Sequence, residues 1–337
     1  MSKIILTGIK PTGMPHLGNY IGAIQPALEL MKDSTITSYL FVADYHSLTT
    51  VHTAQTLNEM IHQVSAAWLA CGLDPKKTTI YRQSDIPELF ELNWILSCIT
   101  PKGLMNRGHS YKALVQANHL TGKKNLERGI NMGIYNYPIL MSADILLFSA
   151  DEVPVGADQE QHLEMTRDIA FKFNHTFKTD LLKPPKTLVK TKLLPGLDGE
   201  KMSKSKGNHI PLFCSSKDLR KAVMKIKTDS SDPDTPKNPE ESIIFSIYKA
   251  FASKQQIEKL EDKYRKGIGW GEAKQLLYLL LEEHLSEKRK VYESLIKEPK
   301  KINTILKEGA KKAREKIAPF MRKIRETIGI GDQTPLV

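Results

Sequence analysis

A chain of 337 residues, 40% hydrophobic and 26% charged, has the composition of a folded globular protein long enough for two domains. No apolar stretch approaches the roughly 18 residues of a membrane-crossing helix, and the N-terminal run is too short for a secretory signal, so no membrane contact and a cytoplasmic address are expected. The net charge of +11 gathers late in the chain, with 22 basic and 19 acidic residues up to Ile210 against 27 and 19 from Pro211 onward.

The first half alternates between strand and helix signals. Ile4 to Leu6 is a short apolar run before Gly8, and Ser38 to Ala43 is a second strand candidate. Between Thr53 and Gly72, Leu57, Met60, Ile61, Val64 and Trp68 carry the spacing of an amphipathic helix. Thr78 to Arg82 reads as a strand and Pro87 to Cys98 as a helix opened by its proline. Asp151 to Val155 and Thr187 to Val189 are further strands, separated by a helix from Gln159 to Phe173. Such alternation predicts an α/β fold, a doubly wound parallel sheet.

After about Asn208 the text turns helical and rich in Lys and Glu, apart from a proline-bearing loop from Thr228 to Pro239. Two domains are expected, 1–210 and 211–337. Lys297 to Arg325 holds eleven basic and three acidic residues. That charge suits nucleic acid, although a solvated helix face would carry it equally well. Cys71, Cys98 and Cys214 stand apart and form no CxxC pair, so neither a disulfide framework nor a cysteine metal site is expected.

Two constellations carry chemistry. Gly8 to Ala23, GIKPTGMPHLGNYIGA, follows the first strand with four glycines that permit a tight turn and close approach to a ligand. The helix opening near Gly18 should offer its amides to a phosphate. His16 could donate to phosphate oxygens, though a lone histidine is often structural. Pro26 should bend the helix that follows. The second constellation, Pro195 to Asn208, PGLDGEKMSKSKGN, places Lys201 and Lys204 beside two serines on a glycine-flanked loop. Such a loop suits a lid that meets charge developing on a leaving pyrophosphate, or else it is an exposed basic loop.

A third stretch, Tyr135 to Asp158, aligns Tyr137, Met141, Asp144 and Phe148 on one helical face, with Ile139, Ala143 and Leu146 turned to the core. An aromatic ring, a thioether and one carboxylate make a wall for a large aromatic group bearing one N–H. Asp144 could instead cap a turn or pair with a basic group not evident from the sequence.

The turn Pro-x-x-His-Leu-Gly-Asn and the loop Lys-Met-Ser-Lys-Ser resemble the two signatures of class I aminoacyl-tRNA synthetases. The run YPILMSADILLF, followed by VPVGADQEQHLEMTRDIAFKFN, is similar to the tryptophanyl branch rather than the tyrosyl one. The resemblance spans most of residues 1–212. It implies a Rossmann-like catalytic domain, a helical domain that meets the tRNA anticodon, activation of L-tryptophan by ATP, and transfer to tRNA(Trp), with no role for DNA. It implies catalytic roles for His16, Lys201 and Lys204. An ATP site would use Lys10, Pro11, Thr12, Gly18, Asn19, Gly156, Ala157, Asp158, Met202, Ser203 and Ser205 with the two lysines. Asp144 would receive the indole N–H, with Tyr137, Met141, Val153, Val155, Gln159 and His46 around the amino acid. A homodimer is implied, and Mg²⁺ carried by ATP rather than by protein ligands. Three positions depart from the family pattern: Lys10 stands where glutamine is usual, the signature histidine pair is His-Leu-Gly-Asn, and Asn106 to Lys112 differs, so Ser110 and His109 receive no assigned contact.

Overall fold

The computed structural model describes residues 2–156, 159–189 and 193–331, and for Leu188 and Val189 the backbone alone. Strands β1 (Lys3–Ile9), β2 (Ile36–Val42), β3 (Thr79–Arg82), β4 (Glu152–Val155) and β5 (Lys186–Val189) form one parallel sheet in the order β3-β2-β1-β4-β5. All five lie where the apolar runs predict them. The chain builds outward from β1 to β3 and then returns to add β4 on the other side. This reversal opens a crevice at the carboxyl ends of β1 and β4.

A parallel sheet must be covered on both faces. One face packs on α4 (Ala54–Ala70), and beyond it on α10 (Ser216–Met224), α11 (Ile243–Phe251), α12 (Lys254–Lys266) and α13 (Trp270–Lys297). The other face is covered by α5 (Glu88–Ile99), α8 (Met132–Leu147) and α9 (Glu160–Phe177). Helices α3 (Asp44–Ser47), α6 (Lys102–Met105) and α7 (His109–Leu120) occupy the connections after β2 and β3. No helix among the described residues is long and apolar enough to cross a membrane.

The first turn contains α1 (Leu17–Asn19), a π-helical turn at Tyr20–Ile24 and α2 (Gln25–Leu30). Pro26 has no N–H to return to Gly22 and its ring crowds that carbonyl. The backbone widens instead of kinking, and the amide of Gln25 reaches the carbonyl of Tyr20. The bend expected at Pro26 is thus taken up as a change of helical register.

The last helix, α14 (Pro299–Ile328), does two jobs. Ile302 and Leu306 belong to the first core, while Ala313, Ile317, Met321 and Ile324 belong to the second, so α14 wraps the sheet at its β3 edge. At the crossing the backbones touch. A Cβ on Gly309 would stand 1.7 Å from the carbonyl oxygen of Ile80. Arg314 and Arg325 then pair with Glu88 at 2.7 Å and Glu91 at 2.5 Å on α5. The expected loop before α11 is present, and its lysine pins it: Lys237 is buried and donates to the carbonyls of Asp232, Pro233 and Thr235.

Gly309→Ala should therefore destabilise the chain by about 3 kcal/mol, because neither backbone can yield without moving its element. Gly271→Ala on α13, where an added Cβ meets nothing within 4 Å, should be neutral or slightly stabilising. Urea unfolding of both variants checks this; equal midpoints for the two would contradict the close packing at Ile80.

Candidate functional site

A cleft of about 1180 Å³ opens over the carboxyl ends of β1, β2 and β4. One end is built from the turn after β1 and the basic loop, the other from α8, β4 and the segment after β2.

At the first end, His16 is the N-cap of α1, and its bonds with Asn19 are reciprocal. Its Nδ1 accepts from the Asn19 amide at 3.2 Å, while Asn19 Oδ1 accepts from the His16 amide at 3.0 Å. Burial, then the neighbouring His209 and Lys204, bring the His16 pKa down to about 4. The ring is neutral at neutral pH, and with Nδ1 accepting, its proton sits on Nε2 as a hydrogen-bond donor.

The amides of α1 do not face an open phosphate site as the sequence suggests. Leu17 donates to the Ile210 carbonyl at 3.0 Å, Gly18 to the Met202 sulfur at 3.3 Å, and Asn19 to His16. The Gly18–Met202 bond joins the two signatures, as does the Lys204 ammonium, which donates to the Thr12 carbonyl at 2.7 Å, while Leu17 and the antiparallel bridge between His16 and Pro211 tie the turn to the residues just beyond the loop. Gly18 is required for this fit, since a Cβ there would press the His16 ring at 3.0 Å. Side-chain donors of Lys10, His16 and Lys201 are among the groups that line this end.

Lys10, Thr12, His16, Gly18, Asn19, Lys201, Met202 and Ser203 all line the cleft. Pro11, Lys204 and Ser205 are not on its wall. The Pro11 carbonyl accepts from Ser47 Oγ at 3.4 Å, and Ser205 Oγ lies 2.8 Å from Ser203 Oγ. Burial lowers the pKa of both Lys10 and Lys204. Lys10, in the glutamine position, donates to Thr49 Oγ1 at 3.2 Å. The loop is shaped by buried Asn208, which accepts from the Ser203 amide at 2.8 Å and donates to Asp198 at 2.8 Å.

At the other end, Tyr137, Met141, Val153, Val155, Gly156, Gln159, His46 and Asp144 line the cleft together. Ala157 and Asp158 lie outside the described residues. Phe148 does not join its helical neighbours; it is buried against Tyr39 and Tyr81 beneath the cleft, with ring centroids at 4.9 and 5.5 Å. It caps α8, where the helical face no longer continues.

Asp144 is 3% exposed and has the partner that sequence alone leaves open. His46 Nε2 donates to Oδ2 at 3.1 Å, and Gln83 Nε2 approaches both carboxylate oxygens at 2.9 Å. Burial still raises its pKa, against the lowering effect of those two donors. The two donors are themselves tied together. Asp44, two residues before His46, accepts from the amide of Ser84 at 3.0 Å and from its hydroxyl at 2.5 Å, next to Gln83.

Sequence reasoning gave no role to Gln83, Lys206 and His162 and left Ser110 without an assigned contact, yet all four lie in or beside the cleft. Ser110 and Lys206 line the cleft, and Ser110 Oγ lies 3.0 Å from the Tyr137 hydroxyl, which also bonds His162 Nε2. Only Gln83 had a signal, its place just past the carboxyl end of β3.

The family description tRNA synthetases class I (W and Y) matches residues 2–286. The chain is 50% identical to a tryptophan–tRNA ligase of Neisseria meningitidis over 330 residues, covering 97% of this chain and 98% of that protein. Among solved structures, a tryptophanyl-tRNA synthetase from Campylobacter jejuni is 39% identical with a TM-score of 0.87, over 97% of this chain and all of that one. The same enzyme solved with ADP and tryptophan also superposes at 0.87, with 38% identity over the same shares of each chain.

The neutral state of His16 makes stability depend on pH. Its folded pKa of about 4 lies below the ordinary 6.5, so the unfolded chain takes up a proton that the folded chain refuses. Its contribution is complete above about pH 6.5 and is lost as pH falls toward 4. Asp44 and Asp144, shifted upward, act in the opposite sense, so the test is a difference. His16→Asn keeps a capping side chain, and its melting temperature should fall less than the parent's between pH 7 and pH 5. Identical falls by calorimetry would show that His16 takes up its proton freely.

Proposed function

The chain belongs to the tryptophan–tRNA ligases among the class I tRNA synthetases, and we propose that its cleft binds tryptophan at the Asp144 end and ATP at the His16 end. The enzyme uses ATP to activate tryptophan and attaches the amino acid to tRNA. The amino acid's carboxylate attacks the α-phosphate in line and pyrophosphate leaves, so positioning and charge stabilisation do most of the catalytic work.

The observation that carries the assignment is the buried Asp144 carboxylate, which lines the cleft and is held by Gln83 beneath it and by His46 beside it on the cleft wall. Its remaining acceptor capacity suits one indole N–H, beside Met141 and the Tyr137 ring. Val153, Val155 and Gln159 complete that end. The nucleotide end is basic: Lys10, Lys201 and Lys206 reach it, with His16 Nε2–H and Ser203. We assign the leaving pyrophosphate to His16 and Lys201, and Lys204 to the closure that brings the loop onto Thr12. Mg²⁺ would arrive with ATP and neutralise phosphate charge, with no protein ligand assigned to it.

The helices from Pro211 onward are the proposed tRNA-binding domain, with Lys311 and Lys312 as phosphate contacts. Arg314 has a different task, since its guanidinium is paired with Glu88. A homodimer is proposed through the apolar surface at Tyr45, Phe90 and Trp94. The first two rings touch at 4.3 Å, and Trp94 is 71% exposed. A cytoplasmic address follows from tRNA as substrate.

Lys201→Ala should slow adenylate formation by about 10²–10³ with little change in tryptophan affinity, because its charge partner develops only in the transition state. Single-turnover rates equal to wild type would remove Lys201 from that role. Asp144→Ala should cost most of the activity toward tryptophan and narrow its margin over phenylalanine, which in such sites reaches roughly 10⁴. Pyrophosphate exchange with both amino acids, with circular dichroism as folding control, measures this; an unchanged ratio in a folded variant would move recognition elsewhere. Neutralising Lys311 and Lys312 should flatten the salt dependence of tRNA binding, whereas Arg314→Ala should lower stability first.

A further inference from the structure

Tyr20 directly follows the His-Leu-Gly-Asn turn and opens the π-helical turn. It is 5% exposed, and its hydroxyl lies 2.9 Å from Nε2 of His284 on α13, 264 residues further along the chain. Phe251, at the end of α11, stacks on Tyr20 with centroids 5.9 Å apart and planes within 8°, and meets His284 edge-on at 5.3 Å. Three rings thus join the segment carrying His16 to two helices of the C-terminal region. Burial holds the Tyr20 hydroxyl up at about 12 and His284 down at about 4, so the bond joins two neutral groups.

The segment needs that support. A helix of three residues cannot sustain itself, because nucleation is costly and α1 adds almost no propagation. The π turn after it is a rare geometry that persists only where its surroundings favour it. On the N-terminal side, the Pro211 bridge and the Met202 sulfur fix α1. On the C-terminal side, Tyr20 is its polar anchor to α13.

We propose that Tyr20 and His284 form a positioning pair for tryptophan activation. Their bond sets the rotation of α1 about its axis, and so the aim of His16 Nε2 into the nucleotide end of the cleft. The pair also makes that aim depend on how α11 and α13 are seated. Neither residue touches a substrate. The proposal rests on ATP lying at the His16 end.

The test is tryptophan-dependent ATP–pyrophosphate exchange, with kcat and both KM values, on Tyr20→Phe, His284→Ala, their double variant and His284→Gln, alongside melting temperatures. Tyr20→Phe keeps the stacking ring and loses only the hydroxyl. Each single variant should lower kcat by about tenfold, the equivalent of one net hydrogen bond, with KM for tryptophan within about twofold of wild type. The double variant should be no slower than the worse single one, because the two changes break one bond. His284→Gln, whose amide can still meet the hydroxyl, should recover to within about threefold of wild type.

Normal kcat in the folded single variants, or a double variant whose loss is the product of the single losses, would overturn the pair. So would a rise in KM for tryptophan equal to the fall in kcat. If Tyr20→Phe is too unstable to assay, equal rates for His284→Gln and His284→Ala would overturn it alone. His16→Asn separates the premise from the proposal. A normal kcat there removes ATP from the His16 end, whereas a slow His16→Asn beside a normal Tyr20→Phe removes only the positioning role.

Discussion

Burying the Asp144 carboxylate is the constraint around which the centre of this molecule is arranged. A charge taken out of water must be hydrogen-bonded or neutralised. Here the donors come from two segments, His46 after β2 and Gln83 after β3, and meet a helix that precedes β4. Their spacing depends in turn on a second buried carboxylate, Asp44, which bonds Ser84 through both backbone and hydroxyl. Three crossover segments are therefore held in mutual register by polar groups, where apolar packing alone would tolerate sliding.

The opposite end of the cleft follows a different logic. The signature turn and the basic loop are joined across 184 and 192 residues of sequence by a thioether acceptor and the Lys204–Thr12 bond, with a bridge to Pro211 just beyond the loop. The amides that a helix N-terminus would normally offer to an anion are spent on these joints and on the His16 cap. In the proposed reading side chains meet the phosphate charge, while backbone amides and carbonyls help hold the two motifs together. A phosphate arriving at His16 would thus feel the seating of the whole loop, and the loop would feel the phosphate.

Much of the fold was legible because its strands are short apolar runs and its long helices keep their spacing. The same local rules located the two signatures and the Tyr137, Met141, Asp144 face. They failed where a residue's role is set by something distant in sequence. Ser110 and Gln83 act through partners 27 and 61 residues away. Phe148 fits the helical spacing but sits at the helix cap, beyond which the face has no continuation. Arg314 looked like one more member of a basic tail until Glu88 was seen beside it. Charge counting cannot separate a cation that meets solvent from one that meets a carboxylate on another element.

The wrapping of α14 around β3 bears on how the chain is made. Arg314 and Glu88 are 226 residues apart, so the strand beside Glu88 leaves the ribosome long before the helix that seals it. At roughly 5–20 residues per second, the β3 edge stays open for on the order of ten seconds or more. An open parallel edge can pair with a neighbouring chain. The nascent protein therefore passes through an interval when its greatest hazard is association with itself, and the contact at Gly309 brings that interval to an end.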